Sequence, residues 1–387
     1  MEIVRLHRTS RILAGHLWVF SNELVESPKN HEPGSLVELL DRKDAFLGIG
    51  YINPHSLIAV RILTRQREEI THDFFKQRIQ HALDYRKQLV KETNSFRVIF
   101  SEGDFLPGLI VDKYDDCISL QILTAGMERW TDTIVEILDR IFAPSGIVLR
   151  NDSSARLLEG LRREKKMIKG SLDRHPVIRE GPLLFEIDPM AGQKTGFFLD
   201  QRENRMTFSD LVGAGEGLDL FCYAGAWGLH LASRGAEVTG VDESEGAISQ
   251  AQKNAAMNNL SERCRVRRGD VFHFLKEEVP AGARYDFIVL DPPAFVKART
   301  KVKEALKGYR QINGNAMKIL KKGGLLATSS CSYHIDKESF LAMLRAAARD
   351  AGREVRLIEM RSQAKDHPIL LSMPETEYLK CAFLEVS

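Results

Sequence analysis

Glu216-Gly217-Leu218-Asp219-Leu220-Phe221-Cys222-Tyr223-Ala224-Gly225-Ala226-Trp227-Gly228 passes from a strand-sized apolar run, through a loop ending in glycine, into helical spacing over Leu229–Ser233. The same alternation then repeats. Ala236–Val241 reads as a second strand with Asp242 at its carboxyl end, followed by a helix containing Ala247–Asn258. Cys264–Arg267 is a third strand before Gly269-Asp270, and Asp286–Leu290 a fourth that ends in Asp291-Pro292-Pro293. Gly324–Thr328 is a fifth and runs into Ser329-Ser330-Cys331-Ser332. Strands alternating with helices specify a doubly wound α/β sheet, whose ligands sit at the carboxyl ends of the strands.

The first loop is not GxGxxG, so a nicotinamide dinucleotide is poorly supported. Gly225 permits close backbone approach, and Asp219, Asp242 and Asp270 are acids after three successive strands. Together they predict S-adenosylmethionine, held by Asp219, Phe221, Tyr223, Ala224, Gly225, Asp242 and Asp270, with Asp291 and Gln201 beside it. Asp242 stands where an acid meets ribose hydroxyls. Asp270 suits an adenine amino group or, equally, a helix N-cap.

Upstream, short apolar segments alternate with Pro33-Gly34 and Asn53-Pro54: Trp18–Phe20, Ser35–Leu40, Phe46–Tyr51 and Ile58–Leu63. They predict a small β-barrel. Helical spacing through Thr71–Lys91 leads to strands at Arg97–Phe100, Gly108–Asp112 and Cys117–Leu123, a helix at Met127–Phe142 and a strand at Gly146–Arg150. That series predicts a separate α+β domain. The expected organisation is therefore a barrel over 1–73, an α+β domain over 74–175, and an α/β domain with a leading hairpin over 176–387. Arg156, Arg162, Arg163, Lys165, Lys166 and Lys169 form a basic stretch that suits either an exposed linker face or an RNA-facing ridge. Gln193–Arg202 brings Phe197 and Phe198 beside Gly196, for packing or for covering a planar ligand.

The 387 residues carry a formal net charge of +2, so nucleic-acid binding must rest on local clusters. Apolar runs are strand-sized and no signal peptide is evident, which predicts a cytoplasmic protein without a membrane span. The five cysteines lie at no metal spacing, so neither a metal site nor a disulfide framework is expected.

HLWVFSNEL, GYINPHSLIAVRIL, QKTGFFLDQR, LDLFCYAGAWGLHLA, LDPPAF, SSCS and DHPILLSMPETEYLK occur in this order across nearly the whole chain. They resemble the RlmI-like 23S ribosomal RNA cytosine-5 methyltransferases. The resemblance implies an N-terminal PUA domain, a central α+β domain, a C-terminal Rossmann-like class I methyltransferase domain, and Cys331 as nucleophile. Carbon 5 of cytosine is a poor nucleophile until a thiolate adds to carbon 6, and Asp291 would then hold the N3 and amino edge. A second cysteine used by other RNA cytosine methyltransferases beside the DPP loop is absent, since Ala294-Phe295 follows Pro293.

Pro292, Pro293, Phe295, Lys297, Arg299, Tyr309 and Arg310 are the expected substrate contacts, basic groups tracking phosphates and aromatics stacking an extruded base. An amphipathic solvated helix would explain the same residues. Ribosomal RNA, 23S in particular, is the expected partner, and a homodimer is left open. The competing readings are a guanine-N2 methyltransferase, a non-catalytic RNA-binding assembly factor, and a methyltransferase for a small molecule.

Overall fold

The structure, a computed structural model, describes residues 1–192, 195–295 and 301–387. It divides into two compact units, each discontinuous in sequence. The first comprises Met1–Ile178, Ile187–Leu199 and Lys365–Thr376; the second comprises Arg179–Glu186, Asp200–Ala364 and Glu377–Ser387.

The first unit begins with β1 (Glu2–Leu6), α1 (Ser10–Leu13), β2 (Trp18–Phe20), β3 (Ser35–Asp41), β4 (Phe46–Ile52) and β5 (Ile58–Thr64). These strands order as β1-β3-β4-β5-β2, around a core that includes Val4, Leu39, Ile52 and Val60. Helix α2 (His72–Leu89) follows, capped by Thr71, whose hydroxyl accepts from the Phe74 amide. Next come β6 (Phe96–Phe100), β7 (Leu109–Tyr114), β8 (Cys117–Ile122), α3 (Ala125–Glu128), α4 (Thr131–Phe142), β9 (Gly146–Asn151) and β10 (Glu164–Gly170), with sheet order β10-β9-β8-β7-β6. Phe75, Ile79, Ile134 and Leu138 of the two long helices pack on that sheet. Gly126 lies so close to the Tyr51 ring that a Cβ there would come within 1.9 Å of it, which explains a glycine inside α3.

The basic stretch after β9 is not a uniform outer face. Arg156 is fully buried and donates to both carboxylate oxygens of Glu128, at 2.8 and 3.0 Å. Glu164–Gly170, with Lys165, Lys166 and Lys169, is an edge strand paired to β9. Charged lysines there keep the open edge from pairing with another chain. Of the stretch Gln193–Arg202, Gln193 and Lys194 lie outside the described residues. Thr195 and Phe197 are buried in the first unit, where the Thr195 hydroxyl donates to Asp112 at 2.5 Å. The packing alternative thus describes Phe197.

The second unit opens with the hairpin β11 (Val177–Glu180) and β12 (Leu183–Glu186), then α5 (Arg202–Val212). The α/β alternation follows: β13 (Glu216–Leu220), α6 (Ala226–Ser233), β14 (Glu237–Asp242), α7 (Glu245–Met257), β15 (Cys264–Arg268), α8 (Val271–Ala281), β16 (Tyr285–Leu290), α9 (Val302–Ile319), β17 (Leu320–Ser330), α10 (Lys337–Ala351), β18 (Val355–Arg361) and β19 (Lys380–Val386). The sheet order is β15-β14-β13-β16-β17-β19-β18. Strands β13 to β17 are parallel, and β19 runs antiparallel between β17 and β18. The strand order reverses between β13 and β16, where a doubly wound sheet opens a crevice at its carboxyl edge.

Beneath this sheet edge, Glu180 is fully buried, with Arg205 Nη2 at 2.5 Å and His230 Nε2 at 3.2 Å. Burial alone would raise the Glu180 carboxyl, but Arg205 and His230 outweigh it and hold its pKa down to about 2. Removing one member of such a buried ion pair strands the other charge. Glu180→Ala is accordingly expected to lower unfolding stability by about 3–5 kcal/mol, measured by urea denaturation, whereas a loss below about 1 kcal/mol would mean the network is solvated.

Candidate active site

Three strand ends build the site. β13, β16 and β17 are neighbours, and their next residues are Phe221, Asp291 and Cys331. The loop after β13 turns sharply, with positive φ at Phe221 (65°), Tyr223 (47°) and Gly225 (76°). Left-handed backbone at two bulky aromatic residues is strained, and such strain concentrates at functional sites. Gly225 meets that geometry without a side chain, and a Cβ there would press within 3.1 Å of Ala251 Cβ.

The acids fall into distinct environments. Asp242 Oδ2 accepts from the Tyr223 amide at 3.0 Å and Oδ1 from Ser244 at 2.9 Å, which pins the first loop against the end of β14. Asp219 is fully buried; its Oδ2 accepts from the Gly228 amide at 2.8 Å, while its Oδ1 has no hydrogen-bond partner among the described residues. Burial first, then Asp291 and Asp242, push its pKa up to about 7 despite the Gly228 amide. Asp270 is exposed and caps α8, accepting from His273 N at 2.7 Å. The N-cap alternative therefore describes its Oδ1.

Asp291 is gripped from three directions. Oδ1 accepts from Gln201 Nε2 at 2.9 Å and from Ser329 Oγ at 2.8 Å, and Oδ2 from Trp227 Nε1 at 3.1 Å. Burial raises its pKa, and Asp200 adds to that, against the donors Ser329, Trp227 and Gln201. Gln201, expected beside the cofactor, is itself buried. It reaches Asp291 and Ser329, and Asn204 Nδ2 holds its carbonyl at 2.7 Å.

Cys331 differs from the other cysteines in access. Cys117, Cys222, Cys264 and Cys381 are buried, and burial pushes each thiol upward, Cys117 and Cys264 to about 12. Cys331 is half-buried, between the buried Ser330 and Ser332. A lysine completes its surroundings. In the β17/β19 register Lys380 stands opposite Ser330, and its ammonium donates to the carbonyls of Ser332 and Tyr378, both at 2.7 Å. Burial lowers the Lys380 pKa to about 8, with Cys331 foremost among the groups opposing that fall. Sequence reading missed Lys380 because 49 residues separate it from Cys331; its one signal was its place in the tail that carried the resemblance. Tyr333 was missed too. It is 65 % exposed just beyond the cysteine and stacks on Tyr378 with centroids 5.8 Å apart.

The expected substrate contacts separate. Pro293 is exposed, Pro292 buried and Phe295 half-buried. Phe295 packs on Tyr309, Phe272 and Phe221, at centroid distances of 4.5, 5.8 and 6.3 Å. Tyr309 cannot stack a base as expected, because it is fully buried in the core and its hydroxyl accepts from Ser330 Oγ at 3.1 Å. Arg310 is exposed, but Asp350 of α10 binds its guanidinium at 2.5 and 2.6 Å, so a phosphate would have to displace that carboxylate. Lys297 and Arg299 lie outside the described residues. Among the described residues no group of three or more His, Cys, Asp or Glu could hold a metal, and no helix is long and apolar enough to cross a membrane.

A cationic ligand fits this site. Asp291 and Asp242 raise the proton affinity of Asp219, one buried Asp219 oxygen stands without a donor among the described residues, and Gly225 lets the strained loop turn without a side chain. The sulfonium and ammonium groups of S-adenosylmethionine suit such an acid cluster. Because the native Asp219 pKa exceeds its unfolded value, the folded state binds the extra proton. Its contribution is thus intact at low pH and lost as pH rises from about 4 to about 7. Asp219→Asn is expected to flatten the fall of thermal stability across that window, in melts recorded from pH 4 to 8; an unchanged slope would assign the titration to another group.

Comparison with known proteins agrees with this geometry. A PUA-like domain family matches residues 3–65, and a methyltransferase domain family matches residues 213–371. A methyltransferase crystallised with SAH superposes with a TM-score of 0.87 over 100 % of both chains at 20 % identity, a likeness of fold. Ribosomal RNA large subunit methyltransferase I of Shewanella denitrificans is 39 % identical, with 94 % of each chain covered. That of Pseudoalteromonas atlantica is 36 % identical, with 97 % of each covered. With a PUA-like barrel, a class I methyltransferase sheet and relatives matched along nearly their whole length, this chain belongs to the ribosomal RNA large subunit methyltransferase I family.

Proposed function

We propose that the protein transfers a methyl group from S-adenosylmethionine to carbon 5 of a cytosine in 23S ribosomal RNA, through a covalent adduct at Cys331. The observation that carries this reading is the accessible Cys331 thiol, beside the buried Lys380 ammonium and one strand from Asp291. Methyltransferases acting on exocyclic amines need no nucleophile, and a cysteine kept for packing would be buried like the other four. When bound, S-adenosylmethionine supplies an electrophilic methyl.

The protein's residues do the rest. Lys380 favours the Cys331 thiolate by charge and, through the Ser332 carbonyl, fixes the turn that carries it. The thiolate adds to carbon 6, and the electron pair of the 5,6 double bond moves to carbon 5, which takes the methyl as its bond to the sulfonium breaks and leaves S-adenosylhomocysteine. Asp291, with its pKa raised, holds a proton toward cytosine N3 and so makes carbon 6 more electrophilic. Loss of the carbon 5 proton to water then re-forms the double bond as the thiolate leaves carbon 6. Gln201, Ser329 and Trp227 act through Asp291 as positioning residues. Gly225, Asp242, Asp270 and the backbone of Phe221–Ala224 line the cofactor's side, and Tyr333 offers an exposed ring to the extruded base.

Incubation with labelled S-adenosylmethionine and 23S RNA is expected to yield 5-methylcytidine by nucleoside mass spectrometry, and Cys331→Ala to yield none. Methylguanosine, or full activity of Cys331→Ala, would move the protein to the guanine-N2 class. Asp291→Asn is expected to cost about 10²–10⁴ in kcat. Lys380→Met is expected to cost about 10²-fold and to slow iodoacetamide labelling of Cys331 at neutral pH, with partial recovery in Lys380→Arg. Unchanged labelling would reduce Lys380 to a structural lysine.

A further inference from the structure

We propose that a cavity in the first unit, between strand β5 and helix α2, binds a nucleotide of the RNA substrate; this rests on the reading of RNA as substrate given above. The cavity encloses about 650 Å³, within the range of small-ligand sites. Arg65 reaches it from the end of β5, and Gln77, Arg78, His81 and Tyr85 line it from one face of α2, at successive helical turns. Its floor is apolar, with Leu17, Ile62 and Phe74.

Two features distinguish it from a packing defect. The acids at its wall are engaged: Asp104 receives Arg86 and the Phe100 amide, and Glu68 receives the Thr64 hydroxyl at 2.5 Å. The two arginines each spend one donor on a backbone carbonyl, Arg65 on His16 at 3.0 Å and Arg78 on Leu63 at 3.4 Å. Neither guanidinium has a carboxylate within 4 Å among the described residues, although Glu68 acts on Arg78 from farther off, so donors of both forks remain for an anion. Partial burial lowers both pKa values, and at Arg78 the Glu68 carboxylate opposes part of that fall.

The second feature is Phe105. It adopts left-handed backbone, with φ 58°, and remains 39 % exposed, with the Arg78 guanidinium 5.6 Å from its ring centroid. A bulky residue in that conformation costs conformational energy, yet more than a third of this residue's surface stays exposed. Beside two guanidiniums, an exposed aromatic plane suits a base stacked on the ring with its phosphate on the arginines. The site belongs to the barrel and the α2 helix and shares no residue with the strand ends that carry Asp291 and Cys331. It would hold a nucleotide other than the target.

The test is filter binding of protein-free 23S RNA to the full chain and to Arg65→Ala, Arg78→Ala and Phe105→Ala, at several salt concentrations. Thermal unfolding and S-adenosylmethionine binding serve as checks on folding. Phe105→Ala is expected to bind about tenfold more weakly. Arg65→Ala, whose side chain is exposed and tolerant, is expected to lower the salt slope by about 1. RNA affinity and slope equal to wild type in folded Arg65→Ala and Phe105→Ala would overturn the proposal. So would loss of activity on ribosomal particles alone, which would give the cavity to a protein partner. A wild-type chain that binds RNA through these residues but transfers no methyl would instead sink the enzyme reading and leave the cavity's assignment standing.

Discussion

The Asp291 carboxylate collects Gln201 from the turn before α5, Trp227 from α6 and Ser329 from β17. Each donor comes from a different segment of the second unit, so the carboxylate can be satisfied only when the hairpin-proximal turn, the first helix and two parallel strands have all reached register. That requirement fixes the crevice at the reversal of strand order. It also explains why Gln201, remote in sequence, is buried: a partly buried carboxylate without donors would carry an unrecovered desolvation cost. The first loop obeys the same constraint, since Asp242 fixes Tyr223 and Asp219 fixes Gly228 through their backbone amides.

Around these acids the electrostatics divide in two. Asp219, Asp242 and Asp291 lie on one side, where Asp291 and Asp242 raise the proton affinity of the buried Asp219, and the buried Lys380 ammonium sits on the other, bonded to the Ser332 carbonyl. In the covalent route proposed above, a cationic methyl donor would sit with the former and an anionic sulfur with the latter. On the proposed route the methyl group would pass between these two sides, from the sulfonium to a base made electron-rich by the Cys331 thiolate.

The α/β alternation was legible because buried parallel strands are continuous apolar runs bounded by Gly, Pro and Asp, as in Phe287–Leu290 before Asp291. The position of Cys331 at a strand end followed from the same pattern. Side-chain accessibility did not. Tyr309 appeared to flank a basic cluster, yet it shares a helical stripe with Ala305, Ile312 and Ala316, all buried, and that periodicity places it inside. Arg156 likewise looked like part of a basic surface until its carboxylate partner, 28 residues away, came into view. Lys380 was unreadable for a related reason: only the antiparallel insertion of β19 beside β17 brings it to Cys331. Strand β18 is weakly patterned because it is an edge with mostly half-exposed residues.

The discontinuous units have a consequence for how the chain is made. Lys365–Thr376 belongs to the first unit: Arg86, fully buried in α2, donates to the Asp366 carbonyl at 2.8 Å, and the Asp366 carboxylate accepts the Arg97 amide at 3.0 Å. During synthesis from the amino terminus the barrel and the α2 sheet emerge early, but Arg86 and the backbone of β6 wait for a segment translated almost three hundred residues later. Until then a buried guanidinium has only Asp104 and local carbonyls to satisfy it. Most of the α/β unit is thus translated while its neighbour is unfinished, and completion of the first unit waits for the segment that follows Ala364.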